Sequence, residues 1–262
     1  RPIGVFDSGL GGLTVVKAMK KLLPNESILY FGDTARLPYG VKSKGLVIQY
    51  STQIANFLIK NDAKLIIIAC NTATAMALEE LKNNFKSIPI IGVIEPGSVQ
   101  ASLDSISKKI GVIGTVATIN SMAYENALKL IDKNIEVISK ECPLFVPFVE
   151  EGMIEGEAIN LIAEHYLSSF QNNIDTMILG CTHYPLLENV IKKYVNGITL
   201  VDSASAVAKH ANNILNDRKL KNGYGETGTL RFFVTDLPRQ FERLGRIFLG
   251  ESINEPQLIN DF

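Results

Sequence analysis

Tryptophan is missing from these 262 residues, and cysteine and histidine occur only three times each. The missing tryptophan carries no functional message. Three cysteines, at positions 70, 142 and 181, are too few and too odd in number for a disulfide framework. No C-x-x-C pair is present, which removes a thioredoxin-like redox motif and a zinc ribbon from consideration. His165, His183 and His210 are far apart and form no H-E-x-x-H or similar ligand spacing, so no metal site is expected. Long apolar runs are also missing. The longest, such as Leu65 to Ala69, fall far short of the ~20 residues a membrane-spanning helix needs. The opening Arg1-Pro2-Ile3-Gly4 lacks the apolar stretch of a secretory signal, so the expectation is a cytoplasmic protein with no membrane partner. Charge of one sign is missing as well: 26 basic residues face 27 acidic ones, an unsuitable balance for nucleic acid as the main partner. The small clusters Lys17-Lys20-Lys21 and Lys192-Lys193 are not interleaved with aromatics and read as solvated helix faces.

What is present is enough apolar sequence, 46% of residues, to build a substantial core. Its pattern is a buried strand, a turn and an amphipathic helix, repeated. Ile3 to Phe6, Ser27 to Phe31 and Leu65 to Ala69 read as strands, with helices over Thr14 to Leu23 and Val47 to Lys60. Continuously apolar strands alternating with helices imply a parallel sheet covered on both faces. Ile90 to Ile94 reads as a further strand, Glu95-Pro96-Gly97 as a break, and a helix as starting at Ser98. The series then restarts. Strands are expected at Lys109 to Ile113, Ile135 to Ile138 and Met177 to Leu179, a turn over Gly114 to Thr118, and helices over Asn120 to Leu130 and Ile154 to Phe170. After Val201-Asp202, a helix over Ala204 to Leu215, a polar loop, a strand over Leu230 to Thr235 and a helix over Arg239 to Leu249 close the chain.

The two series align. Gly4-Val5 matches Gly111-Val112 at an offset of 107, and the strand ending in Cys70-Asn71-Thr72 matches the one ending in Cys181-Thr182-His183 at an offset of 111. The fold class expected is therefore α/β, with two similar, pseudo-symmetric domains built on parallel sheets; if they face each other, the two cysteines approach one interdomain cleft from opposite sides, as the active site. The expected boundaries are 1–95 plus 207–262 for the first, discontinuous domain and 96–206 for the second.

Open parallel sheets bind ligands at the carboxyl ends of their strands. There the sequence places Asp7-Ser8-Gly9, Cys70-Asn71-Thr72, Gly114 to Thr118, and Cys181-Thr182-His183. Two thiols, one per domain, suit inversion of a stereocentre: one group removes a proton from one face of Cα and the other delivers a proton to the opposite face. A thiol of ordinary pKa near 8.5 can be tuned to thiolate by a positive neighbour or a helix N-terminus. Asp7, at the end of the first strand, is within reach of Cys70, and His183 is two residues from Cys181. A lone cysteine after a buried strand is more often inert core. Two at equivalent positions, each followed by polar residues, shift the balance, whereas Cys142, before Pro143 and unmatched, reads as structural. Gly9-Leu10-Gly11-Gly12 fits no phosphate loop and reads as a tight turn opening a helix. Tyr39-Gly40 reads as a turn, and Glu150-Glu151 as a solvated pair.

The segments Gly4-Val5-Phe6-Asp7-Ser8-Gly9-Leu10-Gly11-Gly12, Tyr30-Phe31-Gly32-Asp33-Thr34, Pro38-Tyr39-Gly40, Ala69-Cys70-Asn71-Thr72-Ala73, Gly92 to Pro96, Gly114-Thr115 with Thr118, Val146-Pro147 with Glu150, and Gly180-Cys181-Thr182-His183-Tyr184-Pro185 together resemble the glutamate racemases of the aspartate/glutamate racemase superfamily. They occur in family order and span most of the chain up to about Val207. The resemblance implies interconversion of L- and D-glutamate without pyridoxal phosphate, any other cofactor or a metal, with D-glutamate feeding peptidoglycan. It implies Cys70 acting on the D-enantiomer and Cys181 on the L-enantiomer, assisted by Asp7, Glu150 and His183. It also implies substrate contacts from Asp7, Ser8, Tyr39, Gly40, Asn71, Thr72, Thr118, Thr182 and His183, and a homodimer. Three other readings stand beside it. One is a racemase of aspartate or another amino acid. Another is a hydrolase using Cys181 and His183, which would leave Cys70 idle. The third is an amino-acid-binding module without turnover.

Overall fold

A computed structural model of the chain describes all residues except 224, 226, 254, 261 and 262. It divides into two compact units, Arg1–Val93 with Ala204–Phe262, and Ile94–Ser203.

In the first unit, β1 (Ile3–Asp7), α1 (Leu13–Leu22), β2 (Ile28–Gly32), α2 (Lys44–Lys60), β3 (Leu65–Ile68), α3 (Asn71–Asn84) and β4 (Ile90–Gly92) follow one another. Every residue of these four strands is buried, as expected for strands covered on both faces. The second unit contains α4 (Ile94–Asp104), β5 (Lys109–Gly114), α5 (Val116–Asn120), α6 (Ala123–Ile131), β6 (Glu136–Glu141) and α7 (Phe145–Glu150). It continues with α8 (Glu157–Leu167), β7 (Thr176–Gly180), α9 (Glu188–Tyr194) and β8 (Thr199–Asp202). The chain then forms α10 (Ser203–Asp217), β9 (Leu230–Val234), α11 (Pro238–Leu249) and β10 (Gln257–Leu258).

All the strand pairings are parallel. One sheet has the order β10-β9-β2-β1-β3-β4 and the other β6-β5-β7-β8. The stretch β2-β1-β3-β4 of the first has the same order as the whole of the second. The repeat legible at Gly4/Gly111 and Cys70/Cys181 is thus a repeat of topology: β1 corresponds to β5 and β3 to β7. The late strand β9 pairs with β2, Ile28 opposite Leu230 through Gly32 opposite Val234.

Four local expectations need correction. Ile94 is not the end of a strand: α4 starts there and runs through Pro96 and Gly97. Proline is tolerated in a first helical turn because its missing N–H would have no intrahelical partner there. Gly97 lets Ser203 pack close, since a Cβ at this position would lie 3.0 Å from Ser203 Oγ. The helix expected over Asn120 to Leu130 starts only at Ala123: Asn120 ends α5, and Met122, just before α6, adopts φ +55°. The region read as a turn over Gly114 to Thr118 already contains α5, capped by the Thr115 side chain, which accepts from the Thr118 N–H. The helix expected from Ile154 begins only at Glu157, because Gly156 has φ +104° and lies outside the helical region.

Candidate active site

The first unit brings Asp7, Ser8, Cys70, Asn71 and Thr72 to the carboxyl ends of β1 and β3, which are hydrogen-bonded neighbours. Cys70 is the N-cap of α3, and its sulfur accepts from the Ala73 N–H at 3.4 Å. An N-cap sulfur faces the positive end of the helix dipole, which favours thiolate. The Cys70 thiol also donates to Ser8 Oγ at 3.8 Å. Asn71 and Thr72 are the first two residues of α3, both buried.

Asp7 is fully buried, and its Oδ2 accepts from the Gly9 N–H at 2.9 Å. The Tyr30 hydroxyl donates to the Gly9 carbonyl at 2.9 Å. Burial first, and then the nearby Asp7 and Cys70, push the Tyr30 phenol well above its ordinary pKa, so it stays a neutral donor. The turn Gly9 to Gly12 needs glycine for a close approach: a Cβ on Gly12 would sit 2.6 Å from Asp7 Cβ, 2.9 Å from Ala69 Cβ and 3.0 Å from Tyr30 Oη.

Tyr39 and Gly40 follow β2, in a short 3₁₀ turn. Tyr39 is buried in the same apolar cluster as Cys70, and its hydroxyl donates to Asp33 Oδ2. Asp33, itself fully buried, also accepts from Arg36 Nε at 2.8 Å and from Thr235 Oγ1 at 3.0 Å. Burial and Asp33 together raise the Tyr39 pKa strongly. Neither Tyr30 nor Asp33 was singled out from the sequence as a site residue. The continuous apolar run of β2 gives Tyr30 the look of plain core.

The second unit brings Cys181, Thr182, His183 and Glu150 together. Cys181 follows β7, the counterpart of β3, and its sulfur lies 3.8 Å from His183 Nδ1. Thr182 Oγ1 lies 3.5 Å from the same nitrogen, and His183 Nε2 is 3.1 Å from Glu150 Oε1. Burial opposes a charge on His183, but the hydrogen bonds and charges of Cys181 and Glu150 outweigh it and raise the imidazole pKa to about 10. The imidazolium so held places a proton-bearing ring nitrogen beside the Cys181 sulfur. Glu150 is not the solvated half of an acidic pair: it ends α7 and reaches His183 across 33 residues of sequence.

Thr118 is buried, and its side chain lies 3.0 Å from Thr115 Oγ1 at the start of α5. Cys142 is fully buried, and burial pushes its thiol pKa up, as suits a structural residue. Among the described residues, no group of three or more histidine, cysteine or carboxylate side chains is arranged to hold a metal ion, and no helix is long and apolar enough to cross a membrane.

The family described as Asp/Glu/Hydantoin racemase matches residues 3–211. The chain is 49% identical over 259 residues to a glutamate racemase of Aquifex aeolicus, covering 99% of this chain and 98% of that protein. It is 48% identical over 257 residues to one of Geobacter metallireducens, covering 97% and 95%. Among solved structures, it is similar to a glutamate racemase of Francisella tularensis in complex with D-glutamate, with TM-score 0.93 and 43% identity over 99% of this chain and 97% of that one. It is also similar to a glutamate racemase isoform from Bacillus anthracis, with TM-score 0.95 and 38% identity over 99% and 97%. With the fold, the repeat and the family match in agreement over nearly its whole length, the chain belongs to the aspartate/glutamate racemase family, as an amino-acid racemase of the glutamate racemase kind.

Proposed function

We propose that this enzyme interconverts L- and D-glutamate by proton transfer at Cα between two thiols, Cys70 and Cys181, without a cofactor. The observation that carries the reading is the repetition of a buried thiol at the carboxyl end of corresponding strands, each beside its own polar partners. In the L-to-D direction, the Cys181 thiolate takes the α-proton and becomes a thiol. The Cys70 thiol gives its proton to the opposite face of Cα and becomes a thiolate. The reverse direction exchanges the two roles. Protons and charge balance, and no oxidant or reductant is required. The reading requires both thiols to reach one Cα, one from each unit.

Different electrostatics around the two sulfurs fit this division. Cys181 has an imidazolium beside it, whereas Cys70 has the N-terminus of α3, Ser8 and the buried Asp7 nearby. Asp7 and the His183–Glu150 pair serve as the assisting acid–base groups. Ser8, Tyr39, Gly40, Asn71, Thr72, Thr118, Thr182 and His183 supply or support the polar contacts to substrate; all but Ser8 and Gly40 are buried, where such contacts count for more than in water. The glutamate specificity is brought over from the relatives named above. D-glutamate would then supply peptidoglycan synthesis in the cytoplasm. A homodimer belongs to the same reading, favoured by the exposed apolar residues Val99, Leu103 and Ile106 on and just beyond α4.

The test is proton NMR of the protein with L-glutamate in D2O, beside circular dichroism of the same sample. Loss of the Cα–H signal with decay of the dichroism to zero is expected. No exchange with glutamate but exchange with L-aspartate would transfer the assignment to aspartate, and exchange with neither would remove it.

A further inference from the structure

Glu150 is held against His183 by a very short helix. At six residues, α7 is far below the length at which a helix is stable by itself, so its direction is set by packing. The packing at its start is aromatic. The Phe145 ring is fully buried and meets the edges of two tyrosines, with centroids 5.3 Å from Tyr166 and 5.3 Å from Tyr184 and both pairs at 87°. The Leu144 N–H donates to Tyr166 Oη at 3.4 Å. The Tyr184 hydroxyl donates to the Cys142 carbonyl at 2.9 Å, on the segment leading into α7, and the Cys142 N–H in turn donates to Gly114 O at the end of β5. Tyr184 directly follows His183 in sequence. Its side chain therefore ties the turn bearing Cys181 and His183 to the entry of the helix bearing Glu150.

We propose that Tyr184 is a positioning residue for the proton-transfer site. Through its ring on Phe145 and its hydroxyl on the Cys142 carbonyl, it sets the approach of Glu150 to His183. In this role it acts through Glu150 and His183. The inference rests on the assignment of His183 and Glu150 to the active site made above. The groups facing His183 include Cys181 and Thr182 on its own turn and Glu150 from α7.

Tyr184→Phe keeps the ring, and with it the contact to Phe145, but removes the donor to the Cys142 carbonyl. The histidine Cε1–H signals of the unmodified protein, Tyr184→Phe, Glu150→Ala and the double variant would be titrated by NMR, a readout independent of racemase activity. The His183 midpoint is expected to fall by about one pH unit in Tyr184→Phe. It is expected to fall further in Glu150→Ala, and to be the same in the double variant as in Glu150→Ala, since Tyr184 then has nothing to act through. An unchanged His183 midpoint in a folded Tyr184→Phe protein would overturn the proposal, as would shifts that simply add in the double variant. Absence of glutamate turnover would count against the function proposed above and leave this titration intact.

Discussion

At the scale of single residues, the site is built from side chains whose charge is decided by burial and one or two partners. His183 is the clearest case. Its folded pKa of about 10 lies above the ordinary 6.5, so its protonated contacts contribute stability that is fully present below about pH 6.5 and is lost as pH rises through 10. Urea unfolding of the protein and of His183→Asn across that range is expected to show the largest gap below pH 6.5 and a shrinking one toward pH 10. A gap independent of pH would contradict the assignment of an imidazolium. Gly12 gives a second residue-scale prediction. Gly12→Ala presses a methyl group into Asp7, Ala69 and the Tyr30 hydroxyl, none of which is a free surface side chain. A loss of about 1–3 kcal/mol in a urea titration is expected, together with a fall in activity because Asp7 must move.

At the scale of elements, the sequence disclosed strands better than helix ends. β1, β3, β5 and β7 were legible because buried parallel strands are nearly continuous apolar runs, and the two cysteines stood out as the polar-flanked ends of corresponding runs. α4 was misread because Pro96-Gly97 is a breaker signal in the middle of a helix and harmless in its first turn. Glu150 was legible only through family resemblance. Its partner is 33 residues away, and Val146-Pro147-Phe148-Val149 gives no helical periodicity. The same limit applies to Lys64, which directly precedes β3. It is buried, pairs with Glu26 Oε2 at 2.5 Å, and donates to the Leu220 carbonyl at 2.7 Å and to Asn222 Oδ1 at 2.8 Å. It thereby fastens the segment after α10 to the approach to β2. Lys64→Met leaves Glu26 buried without its cation and is expected to cost about 3–5 kcal/mol in urea unfolding. Faster amide exchange over Leu220 to Asn222 should accompany it, and a neutral effect on both measurements would mean that the pair is not what holds this segment.

At the scale of the whole molecule, four strands of the first sheet repeat the order of the second, and that repetition gives the chain two corresponding thiols in unlike surroundings. The two-thiol mechanism proposed above calls for both properties: equivalence, because each direction must be accessible, and difference, because one sulfur must be ready to accept a proton when the other is ready to give it. The central claim is that both thiols are required. The most direct measurement follows optical rotation and Cα–H exchange in D2O, starting from L-glutamate and from D-glutamate, with Cys70→Ala and Cys181→Ala beside the unmodified protein. The account predicts that racemisation is lost from both enantiomers in each variant while both proteins remain folded. Retained L-to-D turnover in either variant would contradict it.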